Sequence, residues 1–297
     1  MKKLTMPSNK KLLFIGYGIL TLMIGIIIVV FLNSQDTTAD SRTIPWRHIH
    51  GLGIEPADRT ILYIATHGDF YHSHDGGPPF KVDIVRADYM AFNASGHPST
   101  GGNTGLIKSL DGGQSWERVA TILEPPVDFH AMAVSKSNPS IIIGFDSGGR
   151  GLFKTVDSGA TWETLQYPDV VSALAISPND PNMAFAGTGK GIFVSNDGAK
   201  SWTQLEPYKG ILIFALTFDD NGILYASAAS FGLLRSSDLG KTWESLKDPD
   251  LTITSISIDS QNKIIYVAGY SSEGFQEVYR STNNGEEWQL IGTNKEL

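Results

Sequence analysis

The side chains best suited to chemistry in this 297-residue chain are its seven histidines, and they crowd into its first half. His48 and His50 stand in His48-Ile-His50-Gly-Leu-Gly, and His67 in Ala65-Thr-His67-Gly. His130-Ala-Met-Ala-Val aligns with His50-Gly-Leu-Gly-Ile, so His50 and His130 occupy equivalent places in two repeats. Neutral imidazoles converging from several strands would suit zinc, copper or nickel, with Asp69 or Asp146 in reach. His48, His50, His67 and His130 are the candidate ligands, and His72-Ser-His74 forms a second pair. The plainer reading is that these histidines hydrogen-bond at strand ends, in loops that are polar anyway. The chain has no cysteine, so disulfides, thiolate chemistry and the softest metal ligands are excluded. Glycoside hydrolysis would need two carboxylates roughly 5–10 Å apart. Asp69, Asp75, Asp128, Asp146, Asp169 and Glu273 are candidates, and spacing singles out none of them.

The elements that must position these groups show in an internal repeat of about 40 residues. Five segments share one pattern, from Ser109-Leu-Asp111-Gly-Gly113-Gln-Ser-Trp116 through the turns ending at Trp162, Trp202 and Trp243 to Ser281-Thr-Asn283-Asn-Gly285-Glu-Glu-Trp288. The Asp and Ser side chains can accept backbone N–H groups and close a turn, Gly permits positive φ, and Trp opens the next strand. Ala199 replaces Gly in the third copy and Asn283 replaces Asp in the fifth. Four short strand signals recur around each copy, for instance 131–135, 141–145, 151–154 and 162–165. The fold expected is all-β, a propeller of about five four-stranded blades.

These segments resemble the bacterial neuraminidase repeat, or Asp-box, family, which includes sialidases, sortilin-type ectodomains and photosystem II stability-factor propellers. The opening His48–Gly53 and Ala65–Gly68 segments also look like exported bacterial proteins labelled glycosyl-hydrolase-like. The resemblance implies the fold and, because the box is a structural turn in that family, leaves the function open. Sialidases carry an Arg-Ile-Pro segment ahead of the first box. Arg42-Thr-Ile-Pro45 does not match it, so sialidase activity is not expected.

In an up-and-down blade the loop entering the first strand and the loop joining the second to the third share one face. That scheme places all seven histidines on a single face. Residues 68–104, rich in Gly, Pro, His and Asp, read as an insertion in blade one able to fold over the channel mouth. The Gly-rich stretch Asp146–Gly151 lacks the Lys of a phosphate loop and reads as a turn.

Upstream, residues 12–32 run uncharged and apolar for about 30 Å of helix, enough to span a bilayer. Lys2, Lys3, Lys10 and Lys11 precede the run, which puts 1–11 in the cytosol and exports the rest. Residues 33–42 read as a stalk and 43–297 as the propeller, with 43–47 adding a closing strand beside the last blade. The exported part carries 19 basic and 31 acidic residues, which disfavours nucleic acid as partner. We therefore expect a membrane-anchored binding module whose partner is an extracellular protein, a glycan or a metal ion. The alternative is a glycosyl hydrolase acting on extracellular carbohydrate.

Overall fold

The computed structural model describes residues 42–82, 89–90, 93–94, 106–109, 115–120, 122–124 and 126–295. The apolar run 12–32, the lysines before it, the stalk up to residue 41 and His97 lie outside them. Among the described residues no helix is long and apolar enough to cross a membrane.

The fold is all-β, built from four-stranded antiparallel sheets. The first holds β1 (Ile49–Ile54), β2 (Ile61–Thr66), β3 (Phe70–His74) and β4 (Phe80–Val82), and the second β5 (Tyr89–Met90), β6 (Asn93–Ala94), β7 (Leu106–Lys108) and β8 (Glu117–Ala120). Next come β9 (Phe129–Val134), β10 (Ile142–Asp146), β11 (Leu152–Thr155) and β12 (Glu163–Leu165), then β13 (Val171–Ile176), β14 (Ala184–Thr188), β15 (Gly191–Ser195) and β16 (Thr203–Gln204). The last two sheets hold β17 (Ile213–Phe218), β18 (Leu224–Ala228), β19 (Gly232–Ser236) and β20 (Glu244–Ser245), then β21 (Thr252–Asp259), β22 (Ile264–Tyr270), β23 (Gln276–Ser281) and β24 (Gln289–Thr293).

Five of these sheets form one series of neighbours: β9 packs beside β13, β13 beside β17, β17 beside β21, and β21 beside β1. The remaining sheet, β5–β8, has strands of two to four residues, and its first strand lies beside β1. Propeller architecture and four-stranded blades thus match expectation, and this short sheet comes in addition to the five. Consequently the described part of 68–104 is strand where the sequence suggests a loop. It contains β3, β4, β5 and β6.

A sixth copy of the repeat turn explains the difference. Ser73-His74-Asp75-Gly76-Gly77-Pro78-Pro79-Phe80 keeps Ser, Asp and Gly in place and puts Phe where the others have Trp. In the intact copies the Asp oxygen accepts the N–H four residues on, as Thr161 donates to Asp157 (2.9 Å) and Thr242 to Asp238 (2.8 Å). Here that place is Pro79, which has no N–H. Asp75 instead pairs with Arg280 at 2.9 Å, across to the last sheet.

The intact turns behave as the sequence suggests. Thr155, Ser195, Ser236 and Ser281 accept from the backbone N–H four residues later at 2.8–2.9 Å. That fourth residue has positive φ, and Ala199 sits there at 72°. A left-handed alanine costs about 1 kcal/mol, and the turn bears it. Second strands such as β14 and β18 are buried along their whole length, because blades cover both of their faces.

The ring closes at a seam. Thr43 pairs in parallel with Thr293, as expected for 43–47. Ile44 N–H donates to Thr293 O (2.7 Å) and Thr293 N–H to Arg42 O (2.8 Å). Trp46, 2% exposed, meets Tyr71 edge-on and donates its indole N–H to Gln276 O at 3.2 Å.

Candidate functional site

Each of the five long inner strands has a register shift near its start, between Ile49/Gly51, Val171/Ala173, Ile213/Ala215 and Ile253/Ser255, and at Phe129/Ala131 opposite Phe145/Asp146. A bulge leaves the skipped residue out of the ladder and re-aims its side chain. The skipped residues are His50, His130, Ser172, Phe214 and Thr254, and all five line the mouth of the central channel. Sequence alignment matches the first four of these positions, but it cannot show that the chain is bulged there. Close backbone approach accompanies the bulges. A Cβ on Gly269 would lie 2.1 Å from Thr252 O, and one on Gly187 2.8 Å from the Ile213 side chain.

The histidines named as ligands do come together. Ring centroids are 4.6 Å apart for His48 and His50, 5.9 Å for His50 and His67, and 5.3 Å for His50 and His130. His48 Nδ1 is hydrogen-bonded to the Tyr270 hydroxyl from the last sheet. His130 Nε2 faces Asp128 Oδ1 at 3.2 Å, while Ser147 Oγ donates to Asp128 Oδ2 at 2.7 Å. The arrangement is a packed imidazole cluster. Among the described residues no group of three or more His, Cys, Asp or Glu is placed to hold a metal ion.

The expectation that every histidine shares this face is corrected by the sixth repeat turn. His72 and His74 lie on β3, which runs away from the mouth, and His74 is its last residue before the turn at Asp75. Both rings pack on Phe80. They belong to the packing of the first blade and its far end. Asp75 likewise lies on the far face.

Electrostatics keep His50 and His48 uncharged. Burial, then the positive charge that His48, His130 and His67 would carry, holds the His50 pKa down to about 3, against a small upward pull from Asp128. His48 is lowered as well, by partial burial first and then by His130 and His67. A histidine whose folded pKa lies below its unfolded value favours folding least in acid, because the unfolded chain binds the extra proton. Between the usual value of 6.5 and about 3, stability should therefore fall as pH falls, by about 2 kcal/mol at pH 5 from His50 alone. Urea unfolding at pH 7 and pH 5 measures this, and His50→Gln should flatten the difference.

The carboxylates are all engaged. Asp69 pairs with Lys81 (2.6 Å), Asp169 with Lys190 (3.2 Å) and Glu273 with Lys295 (2.7 Å). Asp146 is fully buried and takes Arg150 Nη2 at 2.6 Å and Nε at 2.9 Å, while also accepting the Asp128 N–H. Burial raises the Asp146 pKa, but the Arg150 hydrogen bond and the backbone donors outweigh it and the net shift is downward. Asp128 is the carboxylate in contact with the imidazole cluster. At the other end of the channel Arg59 reaches Asp220 (2.9 Å) and Asp259 (3.0 Å), and Lys136 reaches the same Asp220 (2.8 Å) and Phe218 O (3.1 Å).

No family model matches the chain. An oligoxyloglucan-reducing end-specific xyloglucanase from Emericella nidulans is 25% identical over 242 residues, covering 67% of this chain and 29% of that protein. The chain therefore spans under a third of that relative. The GH74 xyloglucanase from Xanthomonas campestris superposes with a TM-score of 0.58 at 15% identity, over 84% of this chain and 46% of the enzyme. YCF48 bound to D1 peptide superposes with a TM-score of 0.51 at 16% identity, over 83% of this chain and 85% of YCF48. Identities this low establish a shared propeller fold.

Proposed function

We propose that the chain is a membrane-tethered, extracytoplasmic binding module that takes a glycan or a protein partner on the histidine-bearing mouth of its propeller. The observation that carries this is the ring of bulged residues. Five strands give up a ladder position at one register and turn His50, His130, Ser172, Phe214 and Thr254 to the same opening. Bulges gather at working sites because they re-aim side chains. The tether rests on the apolar run 12–32 and the lysines ahead of it. A propeller solved with a peptide bound, YCF48, offers a precedent in fold for partner binding.

The second reading is a glycosyl hydrolase, and likeness to xyloglucanases favours it. Against it stands the pairing of every candidate carboxylate with a cation or an imidazole, where hydrolysis needs two that act on substrate. A metal ion at His48, His50, His67 and His130, zinc or copper by ligand type, is the third candidate and draws least support from the ring spacing.

One experiment separates them. The full chain in nanodiscs is incubated with xyloglucan oligosaccharides, and both retention and new reducing ends are measured, with elemental analysis alongside. Retention without new reducing ends is expected. New reducing ends that vanish in Asp128→Asn would replace this reading with the hydrolase. A near-stoichiometric metal lost in the His50→Ala/His130→Ala variant would replace it with a metal centre.

A further inference from the structure

Below the ring lies a channel of about 580 Å³, within the range of small-ligand sites. Three features define what it can hold. First, its wall is made of strand edges. β1, β9, β13, β17 and β21 each stand at the end of their sheet's strand order and pair on one side. Alternate residues of such a strand turn their N–H and C=O away from the partner, here into the channel. Ser172 Oγ already donates to one such carbonyl, Ile213 O, at 2.5 Å, and Lys136 Nζ to another, Phe218 O. Small side chains, including Ala131, Ala133, Ala173 and Ala215, leave this backbone within reach.

Second, the lining is electrically quiet. Among its described residues Lys136 carries the one formal charge, and Asp220 neutralises it at 2.8 Å. An ionic ligand would lose hydration here without gaining a counter-charge.

Third, the channel opens at the histidine end and is crossed at the other. Arg59 of the first sheet and Lys136 of the third both reach Asp220 of the fifth. Neither sheet is a neighbour of the fifth in the ring. Two side chains from non-adjacent blades meeting on one carboxylate must converge toward the axis, and they do so at the far end. A long polymer therefore has no route through.

We infer that the channel receives the end of a neutral sugar chain, its terminal one or two residues inserted past the His50, His130, Ser172, Phe214 and Thr254 ring and hydrogen-bonded to the exposed strand edges. The module then recognises chain ends and passes over chain middles. Phe214 offers a sugar face its apolar contact, and the uncharged His50 can hydrogen-bond to a hydroxyl. This inference rests on the ring being the binding mouth.

Isothermal titration of the full chain in nanodiscs tests it, with linear hexasaccharides of α-1,4-glucose, β-1,4-glucose and β-1,4-xylose as probes. α-Cyclodextrin serves as six glucose units without an end, and trigalacturonate as an anionic chain. At least one linear neutral hexasaccharide should bind, and cyclodextrin and trigalacturonate should not. Ala133→Phe, and independently Thr217→Phe, would fill the channel below the ring and should each weaken binding tenfold or more; Ala133 also packs against a blade core, so Thr217→Phe is the variant whose melting temperature should stay unchanged. Absence of binding by every linear neutral probe would overturn the inference, as would equal binding of the cyclic one or indifference to both filling variants. If filling has no effect while His50→Gln/His130→Gln abolishes binding, end insertion fails and the mouth remains the site. If neither pair of changes alters binding, both readings fail.

Discussion

Trp46→Ala should cost about 3–5 kcal/mol and produce the largest loss of stability of any single substitution at the ring's seam. The indole closes the ring. It is packed against Tyr71, donates to Gln276 O, and stands so near the last strand that a Cβ on Gly292 would lie 2.4 Å from its ring. Its own carbonyl accepts from Asn294 Nδ2 at 3.4 Å. Removing it leaves a cavity between first and last blades, with the Thr43–Thr293 bridge and the Asp75–Arg280 and His48–Tyr270 contacts left to hold the seam. Guanidinium unfolding of the wild type and the variant measures the difference. Trp46→Phe restores the packing without the hydrogen bond and should recover most of it. A change below 1 kcal/mol in Trp46→Ala would mean that the ring is held shut elsewhere.

The second large effect is expected at Arg150. Arg150→Ala strips a fully buried Asp146 of its charged partner and should cost about 3 kcal/mol, the lower end for a broken buried pair because Arg150 is itself partly exposed. The sign of the pH dependence follows from the direction of the Asp146 shift. A carboxyl whose folded pKa is depressed contributes stability above its unfolded value, and that contribution is lost as pH falls through the folded pKa. The variant should therefore differ most from wild type near neutral pH, and the gap should narrow as pH falls toward the folded pKa of Asp146, which lies below the usual carboxylate value. Asp146→Asn/Arg150→Ala should be milder than Arg150→Ala alone, since no buried charge is left behind. Urea unfolding of the three proteins at pH 7 and pH 3.5 would show it, and a gap no smaller at the lower pH would contradict the assignment.

Much of the frame was legible in the residues. The turns ending at Trp162, Trp202, Trp243 and Trp288 fixed the outer hairpins, because each has side chains that can satisfy its own backbone. Strand signals at 131–135 and 141–145 fall within two residues of β9 and β10. The turn at Ser73–Phe80 went unread because its aromatic is Phe and two prolines fill the places before it. Without that turn, two sheets merged into one blade with a loop, and His72, His74 and Asp75 moved to the wrong face. At the mouth, equivalence of His50, His130, Ser172 and Phe214 was visible by alignment. The bulges were not, since a skipped residue leaves hydrophobic spacing on either side looking like an ordinary strand. Asp146 and Arg150 were legible as a turn and not as an ion pair, because burial of Asp146 depends on contacts far along the chain.

The ring of bulges also separates two kinds of inheritance in this protein. The turns that close the outer hairpins recur from repeat to repeat, while the skipped residue is free of the ladder and, among the described residues, differs almost every time: His, His, Ser, Phe, Thr. The scaffold thus behaves as a five-letter register read around one circumference. Related propellers can exchange letters there and acquire a new preference without disturbing a single rung of the sheets, so kinship in fold will outlast kinship in ligand.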